Sequence, residues 1–186
     1  LTHHASRIIF KLRIASPTIA DVKLPALIGD NMVLQQHAKV PIWGTADPGE
    51  RVTVTMTVKL GSAPQAGERF TVTASAQMVN TTAGNDGRWM VSLDSLDAGG
   101  PFEMTIAGDN TITLHNVLVG EVWVCSGQSN MQWPVKASAD AEQEIAASDY
   151  PTIRLFSVKR TVAERPLPDT EGGWVACSPQ TVGDFS

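Results

Sequence analysis

The stretch VWVCSGQSNMQW, Val122 to Trp133, decides how the rest of the chain is read. Its first four residues, Val122, Trp123, Val124 and Cys125, form an apolar run without polar alternation, which predicts a strand buried on both faces, as in a parallel sheet. Gly127 ends the run, and Gln128, Ser129 and Asn130 follow as consecutive polar residues. Open α/β sheets place ligand sites at the carboxyl ends of their strands, so these three are the first candidates for chemistry. The plain alternative for a serine in this position is a helix N-cap.

Downstream, Ser138 to Ser148 (SADAEQEIAAS) is rich in helix formers and carries acidic residues early, as the helix dipole favours. Asp149-Tyr150-Pro151 ends that helix, and Ile153 to Val158 gives a second strand. Strand, helix, strand predicts a βαβ unit with a parallel sheet. The remainder, with Pro166, Pro168, Gly172 and Gly173, reads as loop to Ser186. One βαβ unit cannot cover a parallel sheet, so residues 119–186 are expected to form the start of an α/β domain that is incomplete in this chain.

Upstream the pattern is that of short strands. Met32 to Gln35 and Val40 to Trp43 are two, and Asp47-Pro48-Gly49-Glu50 is a turn signal. In Arg51 to Val58, Val52, Val54, Met56 and Val58 alternate with threonines, the mark of a strand with one buried face. Phe70, Val72, Ala74, Ala76 and Met78 repeat the alternation. Trp89, Val91 and Leu93 follow the Asn85-Asp86-Gly87 turn; Phe102, Met104 and Ile106 form another strand, and Gly108-Asp109-Asn110 turns it into Ile112 and Leu114. Such strands predict a β-sandwich domain over residues 21–118.

The chain of 186 residues has a formal net charge of -5 and no cluster of Lys and Arg, which excludes a nucleic-acid surface. No apolar segment approaches the roughly 20 residues of a membrane span, because Gly120 and Glu121 interrupt Val117 to Cys125. Cys125 and Cys177 read as two reduced, buried thiols; a single long-range bridge is the alternative. His3, His4, His37 and His115 do not fall at metal-ligand spacing, and no Cys-x-x-Cys occurs, so neither a metal nor another cofactor is expected. Residues 1–20 read as a leader. Arg7 to Ala20 resembles a partial signal peptide, interrupted by Lys11 and Arg13, and implies a periplasmic or secreted protein; a disordered leader is the alternative.

A serine hydroxyl attacks only when a base removes its proton, and backbone N–H groups at a strand-to-helix junction can stabilise the resulting oxyanion. The Gly-x-Ser-x-Gly elbow of α/β-hydrolases is not matched, since Met131 follows Gly127-Gln128-Ser129-Asn130. Cys125, inside the expected strand, reads as structural rather than nucleophilic.

EVWVCSGQSNMQWPV, Glu121 to Val135, resembles the nucleophile block of the sialate O-acetylesterase family, within the SGNH (GDSL-like) hydrolases. LPALIGDNMVLQQ and VPIWGTADPGERVTV resemble that family's N-terminal region, as do Ile153 to Val158 and the later Pro168, Asp169, Gly173 and Trp174. The resemblance implies that Ser129 attacks the acetyl carbonyl of an acetylated carbohydrate, with its own N–H as an oxyanion donor and Gly127, Gln128 and Asn130 in oxyanion or supporting roles. It also implies a further glycine, a further asparagine and an Asp-x-x-His pair toward the C-terminus; none is identifiable here, and all four histidines precede Ser129. The expectation is a fragment inactive by itself, completed by further residues of the same or a second polypeptide. Two other readings stay open: an SGNH esterase acting on acetylated xylan, and a non-catalytic carbohydrate-binding or interaction module built on the β domain.

Overall fold

A computed structural model of the chain describes residues 21–58 and 77–186. The larger sheet has the order β1-β7-β6-β3-β4, built from β1 (Val33–Gln35), β3 (Arg51–Val58), β4 (Gln77–Thr82), β6 (Gly99–Ala107) and β7 (Thr111–Gly120). β1 runs parallel to β7, and the other pairs are antiparallel. β2 (Val40–Thr45) and β5 (Arg88–Leu93) form a separate antiparallel pair. Inward-facing Val52, Val54, Met104 and Ile106 of the large sheet share one core with Ile42, Trp89, Val91 and Leu93 of the small one.

The alternation explains the burial. Val52, Val54 and Met56 are almost wholly enclosed while the threonines between them face outward, the result expected of a half-buried strand. Gly44 is needed for close approach: a Cβ there would lie 2.2 Å from the Lys23 carbonyl oxygen and 2.8 Å from Cζ2 of Trp89. The segment at Lys23 therefore runs close beside the end of β2, where Lys23 pairs antiparallel with Thr45.

Several expectations are corrected. The strand expected over Phe70 to Met78 lies almost wholly outside the described residues; within β4 it is Val79 that packs on the core, and Met78 is 68% exposed. The strand expected at Ile112 and Leu114 is longer than its alternation suggested, because β7 continues to Gly120 through a register shift, with Asn116 at φ 57°. The helix is only α1 (Ala141–Ala147), since Ser138 is extended and Asp140 adopts a left-handed conformation with no side-chain cap. The region expected to be loop contains β9 (Trp174–Cys177), which pairs antiparallel with β8 (Tyr150–Phe156). No βαβ unit is formed among the described residues.

The largest difference concerns Val122 to Cys125, which is not a strand: Trp123 is 83% and Val124 90% exposed, and Cys125 is exposed too. A parallel strand takes hydrogen bonds from neighbours along its edges and burial from helices on its faces. Among the described residues no strand runs beside this one, so the apolar run has nothing to pair with. Of the two thiols, both free, only Cys177 is buried.

The β8–β9 pair is pinned to the β domain by side chains. Trp174 Nε1 donates to the Leu27 carbonyl at 2.9 Å, Asp169 Oδ1 accepts from Ala26 N at 3.0 Å, and Arg154 Nη2 donates to Asn116 Oδ1 at 3.2 Å. The Trp174 ring also leans on Phe156, with centroids 5.2 Å apart.

Candidate functional site

After Gly127 the chain tightens into a 3-10 turn, Ser129–Gln132, preceded by extended Gln128. Met131 N donates to the Gln128 carbonyl at 2.9 Å, and Trp133 N donates to that of Asn130 at 3.3 Å. Ser129 and Asn130 open the turn, so their N–H groups have no acceptor within it. Glycine at 127 is explained by close packing, because a Cβ would fall 2.7 Å from Cγ of Met131. Gly127, Gln128, Ser129 and Asn130 are thus gathered on one exposed turn, and the Ser129 hydroxyl makes no hydrogen bond among the described residues.

Beside this turn lies an open groove of about 1000 Å³, between the end of β7 and β8. Gly127, Gln128 and Met131 reach it from the turn, Trp123 and Arg154 from its sides; Ser129 is at its margin rather than among its lining residues. Arg154 Nε is enclosed without a hydrogen-bonding partner among the described residues, and burial lowers the guanidinium pKa from its ordinary value. The chain beyond Trp133 is tied to the C-terminal segment: Val135 N donates to the Phe185 carbonyl, Lys136 N to that of Gly183, and the Lys136 ammonium pairs with Asp184.

The described histidines are engaged elsewhere. His37 pairs with Asp97 at 3.4 Å, and His115 Nδ1 lies 3.2 Å from Glu103 Oε2 across β6 and β7. His3 and His4 fall outside the described residues. Among the described residues no three His, Cys, Asp or Glu side chains cluster as a metal site, and no helix is long and apolar enough to cross a membrane.

One part of the site was not evident from spacing. Glu121 receives hydrogen bonds from Gln36 Nε2 at 2.6 Å and Gln35 Nε2 at 3.1 Å, which hold its carboxyl below the usual carboxylate range. The Gln35-Gln36 pair belongs to a quoted motif, but nothing local in sequence links it to a glutamate just past another strand.

No family model matches the chain. Over 170 residues it is 36% identical to the sialate O-acetylesterase of Rattus norvegicus, covering 88% of this chain and 29% of that protein. Over 154 residues it is 37% identical to that of Homo sapiens, covering 79% and 27%. A crystal structure of XAC1771, described as a novel carbohydrate acetylesterase from Xanthomonas citri, superposes with a TM-score of 0.77 at 29% identity, over 89% of this chain and 34% of that one. The chain therefore spans under a third of the length of these curated relatives. Over most of its residues, in sequence and in fold, the chain is similar to sialate O-acetylesterases and to this carbohydrate acetylesterase.

Proposed function

We propose that the chain carries the nucleophile of a carbohydrate esterase that removes O-acetyl groups, with sialic acid as the acetylated sugar. The observation that carries this reading is the Ser129 turn: an exposed, unengaged hydroxyl, opening N–H groups and a neighbouring groove in a chain similar to sialate O-acetylesterases. Ser129 Oγ attacks the acetyl carbonyl as a base takes its proton. The oxyanion is met by the Ser129 N–H, with Gly127, Gln128 and Asn130 shaping or supplementing the hole. Collapse breaks the bond to the sugar oxygen, which leaves as a hydroxyl by taking the proton back from the base, and water then releases acetate from the acetyl-serine by the same steps. The histidine and aspartate that drive these transfers come, in this reading, from outside the 186 residues.

The architecture proposed with it is a β-sandwich over 21–118 followed by part of an SGNH-type α/β domain over 119–186, in a periplasmic or secreted protein. Val122 to Cys125 then becomes a parallel strand once further strands flank it. Thiol labelling checks that step: one thiol, Cys125, is expected to react at once in the 186-residue chain. In the full-length protein neither is expected to react before unfolding. Rapid labelling of Cys125 in both would remove the strand from the proposal.

Acetate release by the full-length protein from O-acetylated sialic acid and from acetylated xylan tests the substrate. Preference for sialate supports the reading, and preference for xylan reassigns the sugar. A binding module resting on an aromatic platform has less support, because Trp89 is in the core and Trp43 and Phe102 pack against it.

A further inference from the structure

The chain between Gly120 and Ser129 belongs to no strand, yet its first residues are held firmly from one side. β1 and β7 are parallel with Gln35 opposite Gly120, so the end of β1 lies beside the point where the chain leaves the sheet toward Ser129. There Gln36 N donates to the Gly120 carbonyl at 2.8 Å, and Gln35 Oε1 accepts from Val122 N at 2.9 Å. The two side-chain amides donate to opposite oxygens of Glu121, Gln36 to Oε1 and Gln35 to Oε2. Beyond the pair, His37 takes a left-handed conformation and its N–H donates to the Leu96 carbonyl, turning the chain away.

Two adjacent residues thus grip three consecutive ones at the base of the Ser129 stretch. We propose that Gln35 and Gln36 are positioning residues for Ser129: by fixing the backbone at Gly120–Val122 they set the direction in which the chain carries the serine to its substrate. This rests on the reading of Ser129 as nucleophile. The residue type fits the task, because one amide can accept from Val122 N–H and donate to Glu121 at the same time. A carboxylate in place of the Gln35 amide could accept but not donate, and would face the Glu121 carboxylate. Being exposed, the clamp adds little to global stability; its effect falls on geometry, and catalysis is sensitive to misplacement on the scale of an ångström.

The test uses the full-length protein and an acetyl-ester substrate. Gln35→Glu is expected to lower kcat about ten- to a hundredfold, with KM changed less than about twofold and an unchanged melting temperature. Adding Glu121→Gln restores the donor–acceptor pattern, with the two groups exchanged. The amide now on the Ser129 side of the clamp donates to the carboxylate on β1 while still accepting from Gln36, and most of the lost kcat is expected to return. Ser129→Ala serves as the reference. If Ser129→Ala is inactive while Gln35→Glu retains its kcat, or if the double variant recovers nothing, the positioning role is overturned and the nucleophile assignment stands. Activity that survives Ser129→Ala overturns the assignment and the positioning role with it.

Discussion

Replacement of Ser129 by alanine in the full-length protein is expected to reduce acetyl-ester turnover by about 10⁶, the loss seen when a serine hydrolase is deprived of its nucleophile. The substitution removes one oxygen from an exposed turn and leaves the packing of Gly127 on Met131 intact. Stability should therefore move by no more than about 0.5 kcal/mol, as for surface changes away from packed or bonded groups. A residual rate above water, from the oxyanion donors and substrate binding, is expected to persist. The 186-residue chain alone is expected to release acetate no faster than its own Ser129→Ala variant. The described histidines are committed to Asp97 and Glu103, and neither donates to or accepts from the serine. Titrated acetate under saturating substrate measures both. Undiminished turnover by the full-length alanine variant would reject the nucleophile, and Ser129-dependent turnover by the short chain would reject the external base.

What the sequence disclosed, and what it did not, divides along a physical line. Arg51 to Val58 was legible because one buried face imposes period two whatever lies elsewhere, and Trp89, Val91 and Leu93 are enclosed for the same reason. The Asp47–Glu50 and Asn85–Gly87 turns were legible because Gly49 and Gly87 take positive φ, which glycine supplies without steric cost. Val122 to Cys125 has the composition of a doubly buried strand, but burial depends on partners, and none flanks it among the described residues. β9 escaped notice because Trp174–Cys177 is short and its pairing is fixed by β8, far away in sequence. Within the site, the Ser129 turn could be read from local polarity. The Gln35–Glu121 clamp could not, because it depends on a parallel register between β1 and β7 that no local pattern encodes.

The core that holds β7 in place yields the second large effect: Trp89→Ala is expected to destabilise the protein by about 3–5 kcal/mol, the range for deleting a buried large aromatic side chain. Trp89 is 3% exposed and its ring fills the space that Gly44 leaves open on β2. Its Nε1 has no hydrogen-bonding partner among the described residues, so the loss is one of packing rather than of a polar contact. For the same reason Trp89→Phe, which keeps an aromatic ring and removes an unpaired donor, is expected to cost clearly less than alanine does. Against a total stability of about 5–15 kcal/mol the alanine change is severe. The urea midpoint at constant m gives the value. A shift below about 1 kcal/mol would mean that the site collapses around the gap, since the cost of a deletion depends on how far its surroundings relax. Because β2 and β5 share their core with Met104 and Ile106 of the larger sheet, both sheets are expected to melt in one transition. The strand that launches the Ser129 stretch belongs to that sheet, so a fault beneath Gly44 reaches the site through the stability of its platform, lowering the active fraction while leaving the kcat of folded molecules unchanged.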